Sequence, residues 1–277
     1  MRKACVIGWP ITHSRSPLIH GYWLKQLGIS GSYEKVAVRP EDAKAFLEGL
    51  DCAGYVGCNV TVPLKEIAYQ TATEKDASAV AVGAANTIWL DDSRICAANT
   101  DTYGFMTHLT TTVPDWNERD RPVLVLGAGG AARAIAYGFL EAGVGTIRVA
   151  NRTIARAEAL AEHFGPRVKV VDWSARSDAA RDACVVVNTT TIGMKGDGTL
   201  DMDLAHVDDR TVVSDIVYVP LQTGLLKQAQ ARGLRTVDGL GMLLHQAVPG
   251  FEKWFGTRPE VTPDLRALIV SDLEAAA

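Results

Sequence analysis

The chain has 277 residues, a length that suggests two domains of about 150 residues each, with one large α/β domain as the alternative. Apolar residues make up 47% and charged residues 22%, a globular balance that excludes disorder, collagen and coiled coil. With 28 Lys+Arg against 32 Asp+Glu the net charge is -4, so no global positive field exists to hold a nucleic-acid backbone, and an anionic ligand must be met by local chemistry.

Short β-branched runs alternate with segments of helical period, which predicts an α/β protein with parallel sheets covered by helices. In the first hundred residues, strands are expected at Ala4 to Ile7, Tyr33 to Val38, Tyr55 to Val60, Thr87 to Leu90 and Arg94 to Ala98. Ser16-Pro17 opens a helix that Gly28 can close, Pro40-Glu41 opens a second near Phe46, and Pro63 opens a third. A helix from Asp101 to Leu109 bridges to a second alternation after the turn-rich stretch Thr110 to Pro122. Six strands follow, at Val123 to Leu126, Thr146 to Ala150, Val168 to Val171, Val185 to Val187, Val212 to Val217 and Arg235 to Val237. From Leu240 the pattern is helical again, too short to fold alone, and is expected to return to the first domain. The predicted layout is therefore an α/β domain over 1–100, a second, doubly wound α/β domain over 101–238 and returning helices over 239–277. Two such units imply a cleft, where small-molecule sites tend to form.

The five cysteines (Cys5, Cys52, Cys58, Cys96, Cys184) form no C-x-x-C pair and read as buried thiols. The six histidines have no ligand-like spacing, so no metal is expected. Met1 to Pro10 breaks its apolar run too soon for a signal-peptide core, and no stretch approaches the roughly 18 apolar residues of a membrane helix. A cytoplasmic setting without membrane contact is expected.

The sharpest local motif is Val123-Leu124-Val125-Leu126-Gly127-Ala128-Gly129-Gly130-Ala131-Ala132. This is a buried strand, a glycine turn and a helix start with G-x-G-x-x-A spacing. Gly127 permits the turn, Gly129 lets backbone approach a pyrophosphate, and Ala132 lets the helix lie close to the sheet. Free N–H groups at the helix start then face the phosphate. About 20 residues on, where an acid usually binds the ribose 2′-hydroxyl, stands Asn151-Arg152-Thr153-Ile154-Ala155-Arg156. Without a carboxylate, and with two guanidiniums one helical turn apart, the position favours the 2′-phosphate of NADP over NAD.

The first domain carries its own constellation. Ser16 is expected at a helix N-cap with Pro17 at N1, and with Ser14 it would make a neutral seat for a carboxylate. Gly57 to Lys65 ends a strand and enters a helix whose third residue is expected to be Lys65. A helix start and partial burial both depress an ammonium pKa from about 10.4, which suits proton transfer. Asn86 and Asp101 stand at strand-to-loop junctions, where a carboxylate near Lys65 would orient the amine.

The runs from Val6 to Pro17, Asn59 to Lys65, Ala84 to Thr87, Asn99 to Asp101, Gly127 to Ala131, Asn151 to Thr153, Asn188 to Met194, Asp215 to Pro220 and Gly239 to Gln246 together resemble the shikimate dehydrogenase family, in order and over almost the whole chain. Ala97, where the family usually has glycine, and Ala85, in place of its common valine, are small departures. The resemblance implies that 1–100 is the substrate-binding catalytic domain and 101–238 an NADP-binding Rossmann domain. It implies Lys65, with Asp101, as the acid/base. Ser14 and Ser16 would hold the substrate carboxylate, and Thr61, Asn86, Asp101, Tyr218 and Gln246 would surround the ring hydroxyls. Gly127, Ala128, Gly129, Gly130, Ala131, Asn151, Arg152, Thr153 and Arg156 would hold the cofactor, with Thr190 along it and Ile216 and Gly239 beside the nicotinamide. The implied activity is NADP-dependent interconversion of 3-dehydroshikimate and shikimate, with small molecules as the partners and a homodimer as a compatible assembly. A quinate/shikimate dehydrogenase of quinate catabolism is the nearest rival, and a non-catalytic NADP-binding sensor is the rival of another class.

Overall fold

A computed structural model of the chain describes residues 1–92, 94–118, 120–196 and 198–275. Two compact units emerge, one of residues 1–104 with 244–277, the other of residues 105–243. The borders expected at 100/101 and 238/239 lie about a helical turn earlier than these, because both divisions cut through a helix rather than a loop.

The first unit begins β1 (Arg2–Gly8), α1 (Ser16–Gln26), β2 (Gly31–Ala37), α2 (Ala43–Glu48), β3 (Tyr55–Val60) and α3 (Lys65–Thr71). It continues β4 (Glu74–Lys75), α4 (Ala77–Val82), β5 (Thr87–Asp91), β6 (Arg94–Ala98) and the start of α5 (Asp101–Thr112). Its six strands run in the order β2-β1-β3-β5-β6-β4. The sheet is mixed, not parallel as expected: β1 pairs parallel with β2 and β3, whereas β5 is antiparallel to both β3 and β6. For the β5–β6 pair the reason is chain length. A parallel neighbour needs a crossover of a dozen or more residues, and only a short turn separates β5 from β6. The two-residue strand β4 and helix α4 escape periodicity because both are too short to establish it, although Asp76 caps α4 by accepting from the Ala79 N–H at 2.8 Å.

The second unit runs β7 (Val123–Leu126), α6 (Gly130–Glu141), β8 (Ile147–Ala150), α7 (Ile154–Phe164), β9 (Val168–Val171), α8 (Arg176–Ala180), β10 (Val185–Asn188), β11 (Val212–Asp215), α9 (Gly224–Ala231) and β12 (Arg235–Val237). All neighbours are parallel, in the order β12-β11-β10-β7-β8-β9. This is a doubly wound sheet with its switch between β7 and β10, where ligands bind at the carboxyl ends of strands. Both faces are covered: Val123, Val125, Val185 and Val187 pack into one core, and Leu124, Leu126, Val186 and Val213 into the other. Strands buried on two faces read as continuous apolar runs for this reason. Helix α10 (Gly239–Phe255) leaves this unit, and its later turns join α11 (Pro263–Ala275) in the first unit. There Trp254 is buried and donates its indole N–H to the Ile88 carbonyl at 2.9 Å.

Four of the cysteines are buried thiols, but Cys52 is exposed, because it lies in the turn before β3 rather than in a strand. Among the described residues, no helix is long and apolar enough to cross a membrane.

Candidate active site

In the first unit three strand ends converge on one carboxylate. Asp101 opens α5, and its backbone N–H is accepted by Asn99 Oδ1 at 3.2 Å. Its Oδ2 accepts from Lys65 Nζ at 2.5 Å, and its Oδ1 from Asn86 Nδ2 at 2.8 Å. The backbone sets this meeting: the Ala85 N–H donates to the Lys65 carbonyl at 2.9 Å, and the Asn86 N–H to the Ala98 carbonyl at 3.1 Å. Asn86 cannot turn its amide around, since its Oδ1 already accepts the Thr100 backbone N–H at 2.8 Å together with the hydroxyls of Thr100 and Thr87. Gln246, from α10, places its Oε1 3.4 Å from the same Asn86 amide nitrogen. Behind Thr87, Asn59 donates to its hydroxyl at 3.3 Å and accepts from the Tyr33 hydroxyl at 2.6 Å. Burial pushes the Tyr33 phenol well above its usual value, so it acts as a neutral donor.

Two local expectations are corrected here. Lys65 is the first residue of α3, not the third; Pro63 belongs to the preceding turn, closed by the Leu64 N–H on the Thr61 carbonyl at 2.9 Å. Ser16 is not the N-cap of α1. The helix begins at Ser16 itself, Arg15 takes the cap position without a side-chain cap, and Ser14 Oγ accepts the Ser16 N–H at 3.3 Å. The serine hydroxyl that serves the helix start is thus Ser14, while Ser16 is buried. Arg15 pairs with Asp272 at 3.0 Å. Thr61 follows β3 beside Gly8, where an added Cβ would fall 2.6 Å from Thr61 Cγ2.

The second unit holds the glycine turn. Gly127 has φ +110, and a side chain there would lie 2.5 Å from Thr189 Oγ1, which donates to the Leu126 carbonyl at 2.7 Å. Gly129 is the N-cap of α6 without a side-chain acceptor, and nothing lies within 4 Å of a Cβ built on Gly129 or Gly130. A helix start without a side-chain cap, beside glycines with open space around them, suits a phosphate group. Ala132 is fully buried against the sheet, while Ala128 and Ala131 are half-buried. At the end of β8, Asn151 Nδ2 donates to the Thr153 carbonyl at 2.8 Å. Arg152 and Arg156 are exposed, and among the described residues neither side chain has an ion-pair partner. This donor set fits a 2′-phosphorylated dinucleotide. Gly239 is required by packing, as a Cβ would sit 2.3 Å from the Ile216 carbonyl oxygen. Tyr218 follows β11 and belongs to this unit, whereas Asp101 belongs to the first.

Sequence reasoning missed the group that organises the ends of β10 and β11. Asp215 is 1% exposed and accepts from three neutral donors: Asn188 Nδ2 at 3.0 Å, the Val217 N–H at 3.0 Å and the Thr223 hydroxyl at 2.7 Å. Burial pushes its carboxyl up to about 6 against the pull of these bonds. Asn188 Oδ1 in turn accepts from the Thr190 N–H and hydroxyl at 3.0 and 2.7 Å. The available signal was a polar residue closing each of two otherwise apolar strands. Strand β11, expected to reach Val217, ends at Asp215 because its carboxylate takes the Val217 N–H out of the ladder.

Residues 6–88 match the shikimate dehydrogenase substrate binding domain, 110–194 shikimate / quinate 5-dehydrogenase, and 239–269 the shikimate 5′-dehydrogenase C-terminal domain. A shikimate dehydrogenase (NADP(+)) of Azorhizobium caulinodans is 56% identical over 275 residues, covering 99% of this chain and 98% of its own. The chain belongs to the shikimate dehydrogenase family. A Brucella canis family member, also named shikimate dehydrogenase (NADP(+)), is 53% identical over 278 residues, 99% of this chain and 96% of its own. Among solved structures of the family, shikimate 5-dehydrogenase from Thermus thermophilus in complex with NADP(H) and shikimate superposes with TM-score 0.87 at 34% identity, covering both chains fully. Quinate dehydrogenase from Corynebacterium glutamicum in complex with NAD has TM-score 0.90 at 31% identity, covering 98% of this chain and 99% of its own.

Proposed function

We propose that this chain is an NADP-dependent shikimate dehydrogenase that interconverts 3-dehydroshikimate and shikimate in the cytoplasm. The observation that carries the reading is the Lys65 ammonium held on Asp101 beside the fixed Asn86 amide, in a family member whose full-length relatives bear that name. When bound, NADPH supplies the hydride that reduces the ring carbonyl carbon. Lys65 gives a proton to the oxygen as it becomes a hydroxyl, and takes it back in the reverse direction. Asp101 orients the ammonium, and Asn86 holds Asp101 from the other oxygen. Gln246, Thr61 and Tyr218 are assigned to ring hydroxyls, and Ser14 and Ser16 to the carboxylate. On the cofactor side, Gly127 to Ala131 receive the pyrophosphate, Asn151 to Thr153 and Arg156 the adenosine phosphate, Thr190 lies along the cofactor, and Ile216 and Gly239 lie beside the nicotinamide.

A quinate-oxidising enzyme is the second reading, favoured by the likeness to the Corynebacterium structure. Against it stand the exposed Arg152 and Arg156 and the asparagine, in place of an acid, at 151. Reduced-nicotinamide absorbance with shikimate or quinate crossed against NADP or NAD decides. Turnover of shikimate with NADP well above the other three pairs is expected; preference for quinate with NAD overturns the proposal.

A further inference from the structure

Asp215 is a carboxylate whose charge the fold does not need. Each of its three partners is a neutral donor, and among the described residues no cation pairs with it. An asparagine would serve the same geometry: its oxygen would accept from Asn188 and Val217, and its amide would donate to the Thr223 oxygen, whose hydroxyl is free to rotate. Burying a charge without a counter-charge is costly, so a buried carboxylate in place of its neutral isostere calls for a use of the charge itself.

Its position indicates that use. Asp215, Asn188 and Leu126 are register partners on β11, β10 and β7, in one row at the carboxyl end of the sheet, with Leu126 directly before the Gly127 turn. Two strand spacings, about 10 Å, separate the ends of the row. Ile216, assigned above to the nicotinamide end, is the next residue along the chain, and Thr190 is tied to Asp215 through Asn188.

We propose that the negative charge of Asp215 favours the oxidised, cationic nicotinamide over the neutral reduced one, and so sets the redox balance of the bound cofactor pair. The proposal rests on the reading of this unit as an NADP site. Over a separation on the order of 10 Å, at an effective dielectric constant of about 20, a unit charge shifts an equilibrium between a neutral and a cationic ring by about an order of magnitude. The neutral anchors Asn188 and Thr223 hold the loops in place and, by donating to the carboxylate, favour its ionised form.

The test is a direct binding titration of NADP+ and NADPH, without substrate, on the wild type, Asp215→Asn and Thr223→Val. The expected result is an about tenfold rise in the ratio of the NADP+ to the NADPH dissociation constant in Asp215→Asn, equivalent to about 30 mV in the midpoint potential of the bound pair. With all titrations run at pH 8.5, where Asp215 stays ionised without this bond, Thr223→Val removes one anchor but keeps the charge and should leave the ratio at its wild-type value. An unchanged ratio in Asp215→Asn, or an equal shift in Thr223→Val, overturns the proposal while leaving the NADP site standing. A wild-type protein that binds neither form overturns the site and the proposal together.

Discussion

Replacing Asp215 by asparagine should make the protein more stable at neutral pH, with a pH signature that follows from burial. The folded state raises this carboxyl from 3.8 to about 6. Between those values the folded chain holds a proton that the unfolded chain has released, so its stability falls as pH rises. The contribution is fully present below about pH 4 and lost as pH passes through 6. A shift of about two units corresponds to about 3 kcal/mol. Asparagine mimics the neutral carboxylic acid at every pH, so the variant escapes this loss while keeping a group that meets Asn188, Val217 and Thr223. Urea unfolding of both proteins between pH 4 and pH 8 measures it. The stability of Asp215→Asn relative to wild type should improve by about 2–3 kcal/mol from pH 4 to pH 8, most of it between pH 4 and pH 6 and almost none above pH 7. A constant difference across pH, or one that grows toward acid, would refute the argument that this carboxylate is buried at a cost.

Lys65→Ala should lower kcat by about 10²–10⁴-fold with substrate affinity changing much less, the share of a general acid/base; a wild-type single-turnover rate at saturating shikimate would end that role. Arg152→Ala and Arg156→Ala should each reduce kcat/KM with NADP by about ten- to a hundredfold and leave NAD nearly unchanged, since a hydrogen bond to a charged group is worth about 1.5–3 kcal/mol. Equal losses with both cofactors would remove the arginines from the 2′-phosphate. Gly57→Ala should cost about 2–4 kcal/mol in urea or thermal unfolding, because a methyl there lies 2.2 Å from both the Ile88 carbonyl oxygen and Trp254 Nε1 and breaks the bond between them. Ser14→Ala should raise the shikimate KM by about tenfold, and Ser16→Ala should cost about 1 kcal/mol of stability, not through a lost cap but because its buried hydroxyl meets the Tyr33 phenol.

What the sequence by itself determined is whatever depends on neighbours within a turn or a strand. The all-apolar run before Gly127, the small Ala132, and the missing acid at Asn151 are local facts, and they are enough to specify a doubly wound unit and its phosphate-binding turn. Lys65 was also legible, as a cation at a helix start where acids are the rule. The tertiary structure alone decided what that lysine meets, for Asp101 and Asn86 reach it from other strand ends, held by backbone bonds from Ala85 to Lys65 and from Asn86 to Ala98. Periodicity could not orient β5 and β6 either, since parallel and antiparallel strands share one repeat and only the length of the connection separates them. Asp215 is the extreme case: an aspartate after three strand residues looks like any strand end. Its burial, and hence its raised pKa, comes from Asn188, Thr223 and the two sheet faces packed around it, groups brought together by the fold rather than by adjacency in the chain.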